Sequence, residues 1–597
     1  MSDDVYLIEA QYYVQALSTT SNTVGTGAFT FVLTTDVVFN VGDTVVAANA
    51  DSAGANTMTG TVTSYVSATK TLVLNITSSA GSGTLAVWTI GGVGTLRLCT
   101  GKGYVTSPSD TPANTKYYPL IQSKGSLDRS LFASGSTFGR STIGVGVVTV
   151  VNANRALDKI AKYDFAGRPF TILKGTQTST RLSGFTTLLY GVTGSVEHSW
   201  RTINFNINDR LRSVYDKPVQ ATRFLGNNSL PAGVEGVAGD LLGKPKPILK
   251  GFVENFSPPM VNTSKQTFQL SRYQIASIQN VYHGGVTVTA GTNQVSLAAL
   301  QAGTPTAGQY DYYLGSGSDG AYIRLGTAVT KQITVDATEG ASSAARTVAQ
   351  IANWFLLNPG GVASGDLSST SITALDSANS AIVGIWIDAV EYTVGQVLDE
   401  LLPTIGATLV QNRAGTFSLV QFLAPTGSPV VTLNKYKIID NLNGVERLTS
   451  NDPNNGTPAP FCVLNYRKNY TVQSQSDIAA AATDRQQYAN AQYRNVVSTI
   501  NNDIVTKYLL ATPWTFSGLF TASGDASTEV ARLQTLYGTA SELIRVRCNN
   551  SDVTAVDLNS LVSVDLPAYT WNGGKLFRVI DMLEDYDANK TVLTLWG

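Results

Sequence analysis

Along most of this chain, apolar positions recur every second residue and seldom every third or fourth. In VYLIEAQYYVQAL (5–17) the run is strand-like and rich in aromatics. A second segment of the same kind, Thr95-Leu-Arg-Leu-Cys-Thr100, follows only after a long interval. Between them, residues 22–92 carry almost no charge and are dense in Thr, Val, Ser and Gly, with Phe29 and Phe31, then Leu72 and Leu74, alternating, and Trp88 and Ile90 closing the stretch. That pattern predicts a small all-β unit inserted at the tip of a hairpin whose two strands are the flanking segments.

The period-two pattern continues beyond residue 93. Val196, Ile203, Phe205 and Ile207 alternate within LLYGVTGSVEHSWRTINFNIND, and a short helical turn is expected over 157–163. The Gly- and Pro-rich stretch 226–247 reads as a long loop, since Pro245 and Pro247 forbid helix. Strands are expected at Ala321–Leu325 and Ile333–Asp336, inside a second decorated region over 284–385. Helical spacing appears over 341–357, through Val348, Ile351, Trp354 and Phe355. A second helix is expected after Thr393, which can cap VGQVLDELLPTIG, and two strands joined at Arg413-Ala-Gly415 complete an α–β–β unit. Strands are expected over 461–472 and in SELIRVRCNN, LVSVDL, KLFRVIDMLEDY and KTVLTLWG, with partial helix over 479–500.

The fold class expected is mainly β and multidomain. Its divisions are an N-terminal strand-rich domain (1–21 with 93–255), the inserted β-sandwich-like unit (22–92), a second domain (256–390), the α–β–β unit (391–425) and a C-terminal β-rich domain (426–597). A chain of 597 residues exceeds one hydrophobic core, which fits several domains.

Composition changes the picture in one respect. Charged residues are 14% of the chain, against roughly 25% in typical soluble domains. Neutral polar side chains take their place, which suits subunits whose flanks are buried in an assembly. The net charge of −1 gives no electrostatic case for wrapping nucleic acid. The N-terminus MSDDVYLIEA lacks a basic n-region and an apolar h-region, so no secretory signal is expected, and no apolar run approaches a membrane span.

Candidate chemistry is sparse. Cys99, Cys462 and Cys548 are too far apart for a disulfide framework or a CxxC metal site and read as buried thiols. His198 and His283 lack metal-ligand spacing, and no GxSxG elbow accompanies them. The glycines of GTGAFTFV and GSGTLAV open no helix and read as turns, as does Asn451-Asp-Pro-Asn-Asn-Gly456. No catalytic residue, metal ligand or cofactor site is nominated, and the chain is expected not to be an enzyme. A hydrolase is the weakest competing reading.

Several patches occur in a telling order: VYLIEAQYY, TLRLCTGKGYVTSPSDTPANTKYYPLI, SLFASGSTFGRSTIGVGVVTVVN, LDKIAKYDFAGRPFTILKG, VYDKPVQATRF, GVEGVAGDLLGKPKPILKG, TVGQVLDELLPTIGATLVQNRAGTFSLVQF and the terminal KTVLTLWG. Together they resemble the baseplate (tail-tip) hub proteins of long-tailed bacteriophages and related gene transfer particles. The resemblance implies tail-tube-like β-barrel domains, a homo-oligomer (commonly a trimer), and no enzymatic activity. It also implies a place in the virion, made in the host cytoplasm, where the hub closes the tail tube. Its partners there would be the distal tail ring, the central spike or fibres and the tape-measure protein. DNA would pass through the channel without sequence-specific binding. A distal tail ring protein is the alternative within the same architecture, and a receptor- or glycan-binding tail protein the alternative outside it.

The 22–92 unit is similar to small β-modules of phage tail fibres. Phe29, Tyr65 and Trp88 are its candidate contacts to a host-surface glycan, although alternation places Phe29 and Trp88 on the core side and leaves Tyr65 beside a turn.

Overall fold

Two long strands organise the N-terminal half. In Asp4–Ser18, residues Ile8, Ala10, Tyr12, Val14 and Ala16 are buried while Glu9, Gln11, Tyr13 and Gln15 are not, the alternation of a strand with one core face. It pairs antiparallel with Trp88–Cys99 from Leu7 opposite Cys99 to Ser18 opposite Trp88. The computed structural model describes residues 4–49, 55–133, 137–181, 183–228, 233–317, 319–449, 457–482, 491–567, 569 and 571–597.

This long hairpin serves two barrels. At its distal end Trp88–Cys99 pairs with Thr44–Asn49, and the sheet continues through Thr57–Val66 and Thr71–Ala80 to Gly27–Val32. A bridge between Ser18 and Leu33 brings the last strand back to the hairpin, with Thr34 N–H donating to Leu17 O at 2.8 Å. Phe31, Val62, Leu72, Leu74, Trp88 and Ile90 fill the interior. At its proximal end Asp4–Ser18 pairs with Pro169–Thr176, followed by Thr186–His198, Thr202–Asn208, Val145–Val151 and Ile121–Ser130. This second barrel returns to the hairpin where Cys99 N–H donates to Tyr118 O at 2.8 Å. Val148, Val150, Phe170, Ile172, Phe205 and Ile207 pack inside it.

A third barrel is C-terminal. Val445–Leu448, Leu543–Asn549, Lys590–Trp596, Lys575–Asp585, Leu561–Asp565 and Val431–Asn434 follow one another, and Ile438 bridges back to Cys548. Its core holds Leu433, Ile544, Val546, Val562, Val564, Phe577 and Leu593. One edge of Lys575–Asp585 pairs first with Leu561–Asp565 and then, from Asp581 onward, with Ile121–Ser130 of the second barrel. The two barrels therefore share one hydrogen-bonded sheet.

Residues 248–387 form a nine-stranded sheet around Phe256, Phe268, Leu270 and Trp386. Ile248–Phe256 is one of its strands, pairing with Gly384–Ile387 and Ile333–Thr338, so the boundary expected between 255 and 256 falls inside an element. The unit expected at 391–425 likewise has no core of its own. Its helix Val394–Leu401 and strands Ala407–Gln411 and Phe417–Gln421 share one apolar cluster with helices Val348–Leu357 and Ser523–Tyr537.

Local signals explain where the elements begin and end. Thr347 caps Val348–Leu357 by accepting from Gln350 N–H, so the helix starts later than the apolar spacing over 341–357 suggested. Thr393 and Gln396 form a capping box, with Thr393 N–H donating to Gln396 Oε1 at 2.8 Å. Gly406, at φ 62, ends the following turn in the left-handed region. The strand expected over 461–472 stops at Cys462–Tyr466, because Arg467 takes φ 54. Within 479–500, where partial helix was expected, Arg494–Val497 is a strand, while 483–490, like the turn at Asn451–Gly456, lies outside the described residues. The fifteen-residue helix Ser523–Tyr537 was not expected, although Ala526, Val530, Leu533 and Tyr537 make a buried stripe at helical spacing.

Candidate functional site

The shared sheet presents one continuous outer face, and its chemistry follows from strand alternation. In Thr202–Asn208 the side chains of Ile203, Phe205 and Ile207 are buried, so Asn204, Asn206 and Asn208 project outward. Ser195 and Glu197 lie opposite Asn206 and Asn204 on one neighbour. Val145, Val147 and Thr149 face Asn208, Asn206 and Asn204 on the other. The amides are tied laterally: Thr149 Oγ1 donates to Asn204 Oδ1 at 3.0 Å, and Asn206 Nδ2 donates to Ser195 Oγ at 2.8 Å and Glu197 Oε1 at 3.0 Å.

The face crosses the seam without a break. Ser126 lies opposite Asp585, Asp128 opposite Leu583 and Ser130 opposite Asp581. Beyond them come Thr594, Val592 and Lys590, then Arg545 and Arg547, then Glu446. Strands Val145–Val151 and Thr202–Asn208 contribute no charged side chain to it. Both arginines are matched by one acid, Arg545 at 3.1 Å from Glu446 and Arg547 in a close pair with the same carboxylate. Asp581 sits near the seam, where burial and then the neighbouring Asp128 carboxylate push its pKa up to about 6.

Beneath the face, a buried ion network clamps the seam. Arg129 lies 2.9 Å from Asp557 and 3.2 Å from Glu584, and Glu584 also takes Arg413 at 2.9 Å. Arg413 comes from the turn of the Ala407–Gln411/Phe417–Gln421 hairpin, which thereby braces both barrels. Arg129 Nη1 further donates to Gln411 O at 3.2 Å.

The three residues nominated in the inserted unit do not converge. Trp88 is fully buried against Phe31, its Nε1–H donating to Leu85 O at 2.9 Å, so it offers no face to a sugar. Phe29 is half-buried against the barrel core. Tyr65 is also half-buried and donates its hydroxyl to Asp36 at 2.6 Å. His283 Nε2 accepts backbone N–H groups from Thr330 and Lys331 at 3.1 and 3.0 Å, the role of a neutral imidazole, and burial lowers its pKa. Cys99, Cys462 and Cys548 are buried free thiols pushed up to about 11, 12 and 12. Among the described residues no group of three or more His, Cys, Asp or Glu side chains is placed to hold a metal ion.

A second surface stands out for the opposite reason. After the helix Asn502–Lys507, Leu509 and Leu510 are 89% and 87% exposed, beside half-exposed Val497, Ile500 and Val505. Single exposed apolar residues are ordinary, and five of them within 497–510 make this segment a candidate for a covered surface.

Sequence reasoning missed both surfaces. The only local trace of the first was asparagine at every second position in INFNIN, because its other members come from strands far apart in the chain.

No protein-family model and no curated protein matches this chain. Solved structures with similarity to it include a tail protein from Neisseria meningitidis, at 9% identity and TM-score 0.34, covering 81% of this chain and 94% of that one. A 43 kDa tail protein of prophage MuSo2 from Shewanella oneidensis is 10% identical with TM-score 0.36, over 81% and 94% of the two chains. A chain of the native gene transfer agent virion is 13% identical with TM-score 0.34, over 59% and 84%.

Proposed function

We propose that this chain is a structural, non-enzymatic virion subunit that closes the distal end of a phage tail tube as its hub. The observation that carries the reading is the outer face shared by the second and third barrels. Each barrel is filled with its own side chains, so neither is a pore. A wall built from two laterally hydrogen-bonded barrels is instead what several copies need to enclose a channel between them. Three copies, two barrels each, give a closed ring, in keeping with the trimer that the ordered sequence patches imply.

The wall chemistry suits passage of DNA. Each phosphate held by an unpaired Lys or Arg would add a salt-dependent attachment and slow sliding. Asparagine, serine and threonine side chains bonded to one another, with the two arginines already paired to Glu446, offer few such attachments beside Lys590. The remaining partners in this reading are the distal tail ring above, the spike or fibres below and the tape-measure protein within the tube. Leu509 and Leu510 are assigned to the contact with a neighbouring copy.

Electron microscopy and mass measurement of the purified assembly test this reading. A three-copy ring with Asn204 and Asn206 on its inner wall is the expected result. A six-copy ring would move the chain to the distal tail ring role, and the same residues on the outside of the particle would overturn the channel assignment.

A further inference from the structure

A pocket of about 360 Å³ opens at the seam where the hairpin meets the 116–120 segment, the 156–163 turn and Asn40 of the inserted barrel. It is lined by three cations, Arg97, Lys116 and Lys159, and by the rings of Tyr12, Tyr118 and Tyr163. No carboxylate lines it, and the two acids nearby are already engaged. Glu9, opposite Arg97 in register, takes Arg181 at 3.0 and 2.7 Å together with the Tyr117 hydroxyl. Asp43 accepts from the Tyr12 hydroxyl at 3.0 Å and from Asn40 N–H at 3.1 Å.

The cations are correspondingly under-used. Lys159 Nζ donates to the neutral Asn40 Oδ1 at 3.1 Å, and Arg97 Nε is buried with no hydrogen-bond partner. A buried guanidinium donor left unmet is costly and normally finds an acceptor. Burial also lowers the Lys159 pKa, outweighing the nearby Asp43 carboxylate that raises it. Tyr118 is 55% exposed at the mouth and offers an aromatic face, while Tyr12 and Tyr163 stack at 4.2 Å behind it. Buried donors of positive charge beside an exposed ring are the two elements needed to hold a sugar that carries an anionic group.

We propose that this seam pocket binds an acidic saccharide unit, its carboxylate or phosphate held by Arg97 and Lys159 and its ring laid on Tyr118. The site is separate from Phe29, Tyr65 and Trp88, and it stands whether or not the shared sheet lines a channel. Such a ligand is available either as a carboxylated surface glycan or as a phosphate-bearing cell-wall polymer.

Calorimetric titration of the full chain with glucuronate, glucose 1-phosphate, glucose, acetate and inorganic phosphate tests this. Saturable binding of glucuronate or glucose 1-phosphate, but not of glucose, is expected, and the tighter of the two names the source. Arg97→Gln should weaken it about tenfold or more, as loss of a charge-assisted hydrogen bond does. Lys116→Gln, at an exposed position that leaves folding untouched, should weaken it several-fold, more so at low salt. Binding of glucose as tight as that of glucuronate would overturn the anion assignment, and acetate or phosphate as tight as the sugars would overturn the saccharide. No saturable binding, or no effect of either variant, would overturn the site.

Discussion

Arg129 and Glu584, 455 positions apart in the chain, meet at 3.2 Å across the seam where the second barrel becomes the third. Both side chains are almost wholly buried, at 3% and 4% exposure. Removing one partner leaves the other charged, desolvated and unmatched, which typically costs about 3–5 kcal/mol. Arg129→Ala and Glu584→Ala should each lower stability to guanidinium by that order, whereas Arg545→Ala, in a half-exposed pair, should cost less than about 1 kcal/mol. Equal effects at the two places would show that the seam is not clamped by this network.

A pH dependence follows from Asp209. Its carboxylate is buried at 2% exposure and accepts from Gly144 N–H at 2.7 Å and Leu211 N–H at 3.0 Å, yet burial outweighs these bonds and pushes the pKa up to about 7. The folded form thus holds its proton more tightly than the unfolded chain, whose carboxylate titrates near ~4. The resulting stability is full below the unfolded value and is lost as pH rises through about 7. Thermal melts should show Tm falling between roughly pH 4 and 7, and Asp209→Asn should flatten that slope. An unchanged slope would remove Asp209 as its source.

The channel reading makes the Asn ladder a place where charge matters more than shape. Replacing both Asn204 and Asn206 with Lys leaves the strand and its buried side intact but adds two cations per copy to the wall. The assembled ring should then retain duplex DNA at low salt and release it as salt rises, with a steeper log–log slope than the parent. Indifference of DNA retention to these changes would place the face away from the path of DNA.

Leu509 and Leu510 give the assembly test a local handle. Replacing both with Ser removes exposed apolar area that contributes nothing to the monomer core. Native mass measurements should shift from ring to monomer while the thermal melt of the monomer stays within about 0.5 kcal/mol of the parent. A ring of unchanged mass would relocate the contact between copies.

Thr393 tests how much a single local signal supports the helical core. Thr393→Ala removes the acceptor for Gln396 N–H and breaks the capping box, costing about 1 kcal/mol. Thr393→Ser should restore most of it.

What the sequence determined by itself was local. Alternation identified Asp4–Ser18 and Thr202–Asn208 as strands with one buried side, and Thr393 with Gln396 marked a helix start, because each signal lies within a few residues of the element it specifies. The same local reasoning missed Ser523–Tyr537, whose buried stripe is interrupted by polar positions, and nominated Trp88, whose ring the fold buries. Only the tertiary structure decided which faces are continuous. Asn204, Asp128, Leu583 and Arg547 share one surface because strands from both ends of the chain exchange backbone hydrogen bonds, and Arg97, Lys116 and Lys159 share one pocket because the fold brings two strands and a turn together there. Strand periodicity tells which side chains point together within one strand, while the partner and register of each strand depend on packing between distant segments, which no local pattern encodes.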